Sequence, residues 1–600
     1  MATRKTFYFL TRQFINPAVI PAMLLGILWM VIASGAASLA AAAETGRVMG
    51  SVTADRGAVK GFRVKAKDVV NRIHYTTFTK AGRYQFVELP VGTYDVGILQ
   101  PGFESPVQTV DVKANQTQRV DIALTAVERP PQGGGGPLGT GAVPRDVQLV
   151  DYDTLYPPGP GRTEMEVQCR GCHPWFFHRQ KHDEAGWREA AERMKTMKVE
   201  NEIYRGPIPW PSDDVLEPIY KYLARHFGPN SPNRDIKRDE FVPDEDALSE
   251  ALFIEYEVDL GPVHRTPDHL RRPDRVEFES HRLHDPYVSP VDGTIWYGAS
   301  GINAMVQLNP RATTFNERWK IFKFTGPDER NVFIHGHTID SQGRVYWTEI
   351  NGGKLGELDP NTGKSIRYDL PTKGGSLLQN VVDSKGNVWY NLVHGDAIGK
   401  LDAVTRKITE YPTPLPGTEP YGLAVDPQDN IWTAGMPKHQ VLKFDPVKEK
   451  WTQYPTPTKI SAPRRIGVDK QGKVWVPEFA AGKLGYLDPD TGKMIEYEPP
   501  LKHGGFYEAW PDNRGSVWVT DSTYNSLVRF DVQTKKFTYF PLPQLRWSVP
   551  KVEIDKDGTV WFGSRGVPNI VGAAFKLKGN APKTMRAQPG GSGSVDPISD

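Results

Sequence analysis

Cysteine is nearly absent from this chain, with two in 600 residues. That excludes a disulfide-stapled scaffold and a cysteine-rich zinc site, which needs further thiolates. Surplus charge is missing too. Lys plus Arg number 73 against 71 Asp plus Glu, and Arg4, Lys5 and Arg12 precede every acidic residue. The chain beyond them is near neutral and offers no electrostatic surface for nucleic acid. No Gly-rich phosphate loop follows a strand pattern, and no flavin, nicotinamide or quinone fingerprint is visible. Any direct oxidation of a substrate would need another redox centre.

The two cysteines stand together, in Cys169-Arg170-Gly171-Cys172-His173. Two thiols at this spacing can each form a thioether to one haem vinyl group, and the next residue sets an imidazole under the iron. A redox dithiol would not require the following His. The motif therefore predicts one covalent haem c, held by Cys169 and Cys172 with His173 as the proximal ligand. Haem c is attached outside the cytoplasm, so an export signal is expected. Basic residues, an apolar run from Met23 to Ile32 and Ala41-Ala42-Ala43 supply the order of a secretory signal over residues 1–43. Left uncleaved, the stretch from Met23 to Ala43 could instead anchor the chain in a membrane. A periplasmic or otherwise exported location follows.

Pro/Gly-rich breaks divide the remainder, giving a multidomain, mainly β chain. Residues 44–126 alternate apolar and polar residues in short runs, as a small β-sandwich does. The phrases Gly50-Ser51-Val52, Thr79-Lys80-Ala81-Gly82-Arg83-Tyr84 and Leu89-Pro90-Val91-Gly92-Thr93-Tyr94 resemble the carboxypeptidase regulatory-like (transthyretin-like) domain. That resemblance implies an accessory spacer or docking module. A linker occupies 127–147. Residues 148–230 hold the C-x-x-C-H motif and two helical patterns, Glu184 to Met197 and Asp213 to Phe227, and so form a small α-helical unit. With Trp187 and Arg193-Met194 it is similar to single-haem cytochrome c domains that accompany periplasmic dehydrogenases, which implies Met194 as the distal iron ligand. The residues themselves leave Met197, His178 and His182 as alternatives. A thioether ligand would raise the potential and favour accepting electrons.

Residues 250–580 repeat. Each unit runs from an apolar strand through an Asp/Gly turn to an aromatic, at Trp296, Tyr346, Trp389, Trp432, Trp475, Trp518 and Trp561. From Tyr346 onward the interval is 43 residues, which predicts a seven-bladed β-propeller with a loop insertion in the first unit. Units close on strands such as Thr409-Glu410-Tyr411-Pro412, but the seventh has none. The missing copy lies upstream as Phe253-Ile254-Glu255-Tyr256-Glu257-Val258, so this strand is expected to close the ring. A tail over 581–600 is expected to be disordered.

Counting back from each aromatic gives the start of the innermost strand: Asp285 or, with a one-residue shift, His284, then His335, Leu378, Tyr421, Arg464, Tyr507 and Pro550. These would line one mouth of the channel, with His337, Gln379, Glu419, Arg465 and Glu508 beside them; such a mouth is either a ligand site or simply solvated. The repeat resembles the streptogramin lyase (virginiamycin B lyase) family in its Pro-Tyr-Gly-Leu and Glu-Tyr-Pro-Thr-Pro phrases. That resemblance implies a Mg²⁺-dependent C–O lyase with a His base, set in a Pro-His phrase and a Glu-Pro-His phrase of successive blades. Here those positions hold Leu378 and Glu419-Pro420-Tyr421. A phenol with a pKa of about 10 is a poor base at neutral pH, so the fold carries over and the lyase site does not. Three functions fit. The first is haem-mediated electron transfer, with the propeller binding a small-molecule substrate or a redox partner protein. The second is a lyase or hydrolase with a site rearranged around His284, His335, His337 and Glu419. The third is a non-catalytic docking assembly.

Overall fold

A computed structural model describes residues 44–127, 147–169, 181–200, 211–261 and 283–575, with breaks at 325–331, 351, 374, 546, 548 and 565–569, and without the side chains of 193–200 and 574–575. The signal, the Pro/Gly linker, the tail, Cys172, His173, His178 and the side chains of Met194 and Met197 lie outside the described residues.

The alternation in residues 44–126 becomes two facing sheets. One orders Arg83–Pro90, Thr45–Ala54, Ile122–Ala126 and Phe103–Glu104; the other orders Ile73–Phe78, Arg63–Asp68, Gly92–Leu99 and Gln108–Val112. Every second residue of Arg63–Asp68 is buried, and Val64 and Ala66 meet Val48, Phe86 and Val96 between the sheets. That is the pattern of a strand wetted on one face.

Six four-stranded sheets follow, from Leu283–Val288 in the first to Phe537–Pro541 in the sixth. Their innermost strands touch in succession, and the seventh blade's Val552–Ile554 returns to Leu283–Val288, so the ring is closed. The sequence signature of each blade has a direct cause. In blades three, four, five and seven the turn aspartate (Asp383, Asp426, Asp469, Asp555) accepts turn N–H groups on one oxygen and the indole N–H of the repeat tryptophan on the other. Asp and Trp thus recur together because each satisfies the other inside the sheet stack. The insertion in blade one falls in two places. One carries the short helix Phe315–Arg318, whose Arg318 donates to the carbonyl of Asn71 in the sandwich at 2.7 Å. The other is the stretch between Trp319–Lys323 and Ile334–Ile339.

Leu252–Glu257 completes the seventh blade as expected, pairing antiparallel with Ile570–Phe575. Its other edge is not left to solvent. Phe253 to Tyr256 pair in register with Thr76 to Ile73 of the sandwich, so blade seven and one sandwich sheet form a single eight-stranded sheet.

In the helical unit, Arg162–Cys169, Glu184–Glu200 and Asp213–His226 pack on Leu155, Tyr156, Met165, Trp187, Ile219 and Leu223. Asp213 and Asp214 open the last helix and Arg225 and His226 end it, matching its dipole. The unit runs past the expected limit at 230: Arg234–Ile236 pairs back on Gln148–Val150, and Ile236 joins the core. It docks on blade six. Tyr152 stacks on His503 with ring centroids 5.9 Å apart, Arg238 donates to the carbonyl of Thr523 at 3.0 Å, and Phe241 meets Tyr539 edge-on. No helix among the described residues is long and apolar enough to cross a membrane.

Candidate functional site in the propeller mouth

Each innermost strand of blades one to four and six is interrupted by an irregularity within one residue of the same place, as between Ile334 and His337 opposite Thr348. The bulge frees backbone groups that the next strand must satisfy. Thr348 accepts from the N–H of Gly336, Asn391 from those of Leu378 and Gln379, and Thr520 from that of Glu508. The bulge also sets the phase of the mouth. Leu283 pairs with Ala299 as Ile334 does with Glu349, so His284, not Asp285, matches His335, and Asp285 takes the place of Gly336 and Gly422 one step deeper. The turn before Trp296 is one residue longer than its counterparts.

In blades one and four that deeper position takes an unusual backbone. Gly422 sits at φ +78°, and a Cβ there would lie 2.9 Å from Cα of Arg465. Asp285 adopts φ +46° in the same slot, a conformation uncommon outside glycine. Its carboxylate accepts from His284 Nδ1 at 2.9 Å and, with its second oxygen, from the Arg465 guanidinium at 2.7 Å. Arg465 belongs to blade five and Asp285 to blade one, so the buried pair ties two non-adjacent blades together. Burial alone would push the Asp285 pKa up; Arg465 and then His284 hold it well below the usual carboxylate range.

Above this pair, the rings of His284 and His335 lie 4.3 Å apart, and His335 Nδ1 is 2.6 Å from the carbonyl of Leu378. Across the mouth, the Tyr421 and Tyr507 hydroxyls are hydrogen-bonded. The Arg464 guanidinium lies 3.7 Å over Phe479 and 4.5 Å from the Tyr507 ring. Glu419 holds the rim before Tyr421 at φ +44°. The structure therefore brings His284, His335, Tyr421, Arg464 and Tyr507 to one mouth, and it leaves His337 out. His337 is buried with Nε2 donating to the carbonyl of Trp296 at 2.9 Å, and Asn380 makes the matching bond to Tyr346 in the next pair of blades. Burial, then Lys551, lowers its pKa to about 3. It is an interblade brace and no mouth base. The sequence count included it because it did not foresee the bulge.

Sequence reasoning noted Arg465 and Glu508 only as neighbours, and missed Lys551 and Glu478. Glu508 is pushed up to about 8 by burial, against the offsetting charges of Arg465 and Lys551. Glu478, at the end of Val474–Glu478, is pushed to about 9 by burial and then by Glu496. A carboxyl raised in the folded state binds its proton there first, so its stabilisation is complete below the ordinary carboxyl range and is lost as pH rises towards 9. Glu478→Gln, which mimics the neutral form, is expected to flatten that loss. It should raise stability at pH 9 by at least about 1 kcal/mol, read from melting curves between pH 5 and 9.

Residues 288–567 match the Virginiamycin B lyase family, and residues 47–125 match the Carboxypeptidase regulatory-like domain. The chain thus carries a virginiamycin B lyase-like propeller behind a carboxypeptidase regulatory-like domain. Among solved structures, a streptogramin B lyase is 22% identical, covering 55% of this chain and 99% of its own, with a TM-score of 0.47. A virginiamycin B lyase from Staphylococcus aureus is 20% identical over 49% of this chain and 94% of its own, at a TM-score of 0.44. No curated protein matches the chain.

Proposed function

We propose that the protein is an exported c-type cytochrome in which a haem-bearing helical unit serves a ligand or partner bound at the propeller mouth. The observation that carries this reading is the docking of the unit. Tyr152 stacks on His503, four residues before mouth residue Tyr507, so the described part of the helical unit packs on the mouth side of blade six. The described residues fit a haem. Cys169 is the last residue of the helix Arg162–Cys169, half-buried against the unit's core. Trp187 is buried with an indole N–H that has no acceptor among the described residues, and His182 packs edge-on against it at 5.0 Å. Cys169 and Cys172 would hold the group covalently and His173 would ligate its iron, with Met194 or Met197 opposite. When bound, haem c supplies one-electron transfer. The chain's own residues orient the partner: Arg464, His335, Tyr421 and Tyr507 line one opening.

Expression alongside haem-maturation machinery tests this. Haem is expected to stay with the polypeptide after denaturation and to be lost in Cys169→Ser/Cys172→Ser; a wild-type chain without covalent haem would end the reading. A second reading, a lyase with a rearranged site, draws on the His284–Asp285–His335 cluster. It would require lactone cleavage without any change in the haem spectrum, abolished by His335→Ala.

A further inference from the structure

We propose that His284 and His335 form a binding site for a borderline divalent metal ion such as Zn²⁺, with Asp285 as the positioning residue behind them. The inference does not depend on the haem. His284, Asp285 and His335 are all buried, and each offers a potential ligand atom within 4.8 Å of the others. Their tautomers are set by partners that can only accept. His335 Nδ1 faces the Leu378 carbonyl and His284 Nδ1 faces the ionised Asp285, so both Nδ1 atoms carry hydrogen and, in the neutral rings that metal binding requires, Nε2 is the atom of each that would ligate. Metal-ligating histidines are held this way, the far nitrogen bonded to a carbonyl or carboxylate that fixes the ring and raises its basicity.

Two further observations separate this from a chance meeting of histidines. Asp285 adopts the left-handed backbone that blade four gives to Gly422, so a carboxylate stands in a conformation that ordinarily favours glycine. Arg465 balances that carboxylate at 2.7 Å. The charge of an added ion would then be met by an anionic donor from solvent or from a ligand at the mouth, since two imidazoles leave coordination positions open. Imidazole donors favour Zn²⁺, Ni²⁺ or Cu²⁺ over Mg²⁺. The cluster also lies on blades one and two, whereas the positions that resemble the lyase phrases, Leu378 and Glu419 to Tyr421, lie on blades three and four.

The test uses the full-length haem protein, stripped with chelator, incubated with ZnCl₂ or MgCl₂ and dialysed, with metals counted by element so that haem iron is separate. One zinc per chain is expected to be retained and no magnesium. His335→Gln and His284→Gln should each lose the zinc while melting like zinc-free wild type. Failure of wild type to retain zinc, or equal retention in both variants, overturns the site. Should a variant not fold, zinc-edge X-ray absorption on the wild type decides: a shell with two imidazoles is expected, and a shell with none overturns it.

Discussion

Deletion of residues 250–260 is expected to abolish the cooperative melting of the propeller and to destabilise the sandwich with it. Phe253, Ile254, Glu255 and Tyr256 are all buried. Phe253 meets Phe78 of the sandwich and Phe562 of blade seven, at 6.0 and 6.1 Å, and Tyr256 stacks on Trp561. Glu255 accepts from Lys65 at 2.9 Å. Without the strand, Ile570–Phe575 and Ile73–Phe78 both become open sheet edges. Phe253→Ala alone should cost about 3–5 kcal/mol, the usual range for emptying a buried aromatic site. Calorimetry reads both: an unchanged transition in the deletion would show that the ring closes some other way.

The second large effect concerns the channel. Arg465→Met should lower stability by about 3–5 kcal/mol at neutral pH, because it strands the Asp285 carboxylate in the interior. Asp285→Asn/Arg465→Met should recover much of the loss, since asparagine tolerates the left-handed backbone and neither charge remains. The pH dependence follows from the depressed folded pKa of Asp285. In wild type its stabilisation is fully present above the ordinary carboxyl value near 4 and is lost as pH falls below it. The gap between Arg465→Met and wild type should therefore be widest at neutral pH and narrow as the medium is acidified. A gap independent of pH in denaturant titrations would mean that Arg465 acts through packing alone.

The blades were legible because their physics is local. An aspartate six residues before a tryptophan makes the same turn each time, and a 43-residue interval repeats it. Even the closing strand could be found, as a copy missing from one end and present at the other. What the sequence hid was of two kinds. The turn before Trp296 is one residue longer than its counterparts, which is why His284 and Asp285 stayed interchangeable, and the bulge leaves no signature, which is why His337 looked like a mouth residue. The Asp285–Arg465 pair and the joining of Phe253 to Thr76 connect segments far apart in the chain, where no periodicity operates. One clue was on hand for the first: aspartate at a position that two other blades give to glycine. The charged interior of the channel had no such clue, since Glu508 and Lys551 look like ordinary surface residues of a strand end.

The shared eight-stranded sheet imposes an order of assembly. Leu252–Glu257 leaves the ribosome before any of the first six blades, yet its partner Ile570–Phe575 comes after all of them. Until then it can pair only with the sandwich, through Ile73–Phe78. The N-terminal module thereby acts as an internal template, holding one half of the clasp in register while the ring is built. Contacts so distant in sequence form slowly, and a strand already seated on a folded neighbour is kept from pairing with other chains in the meantime.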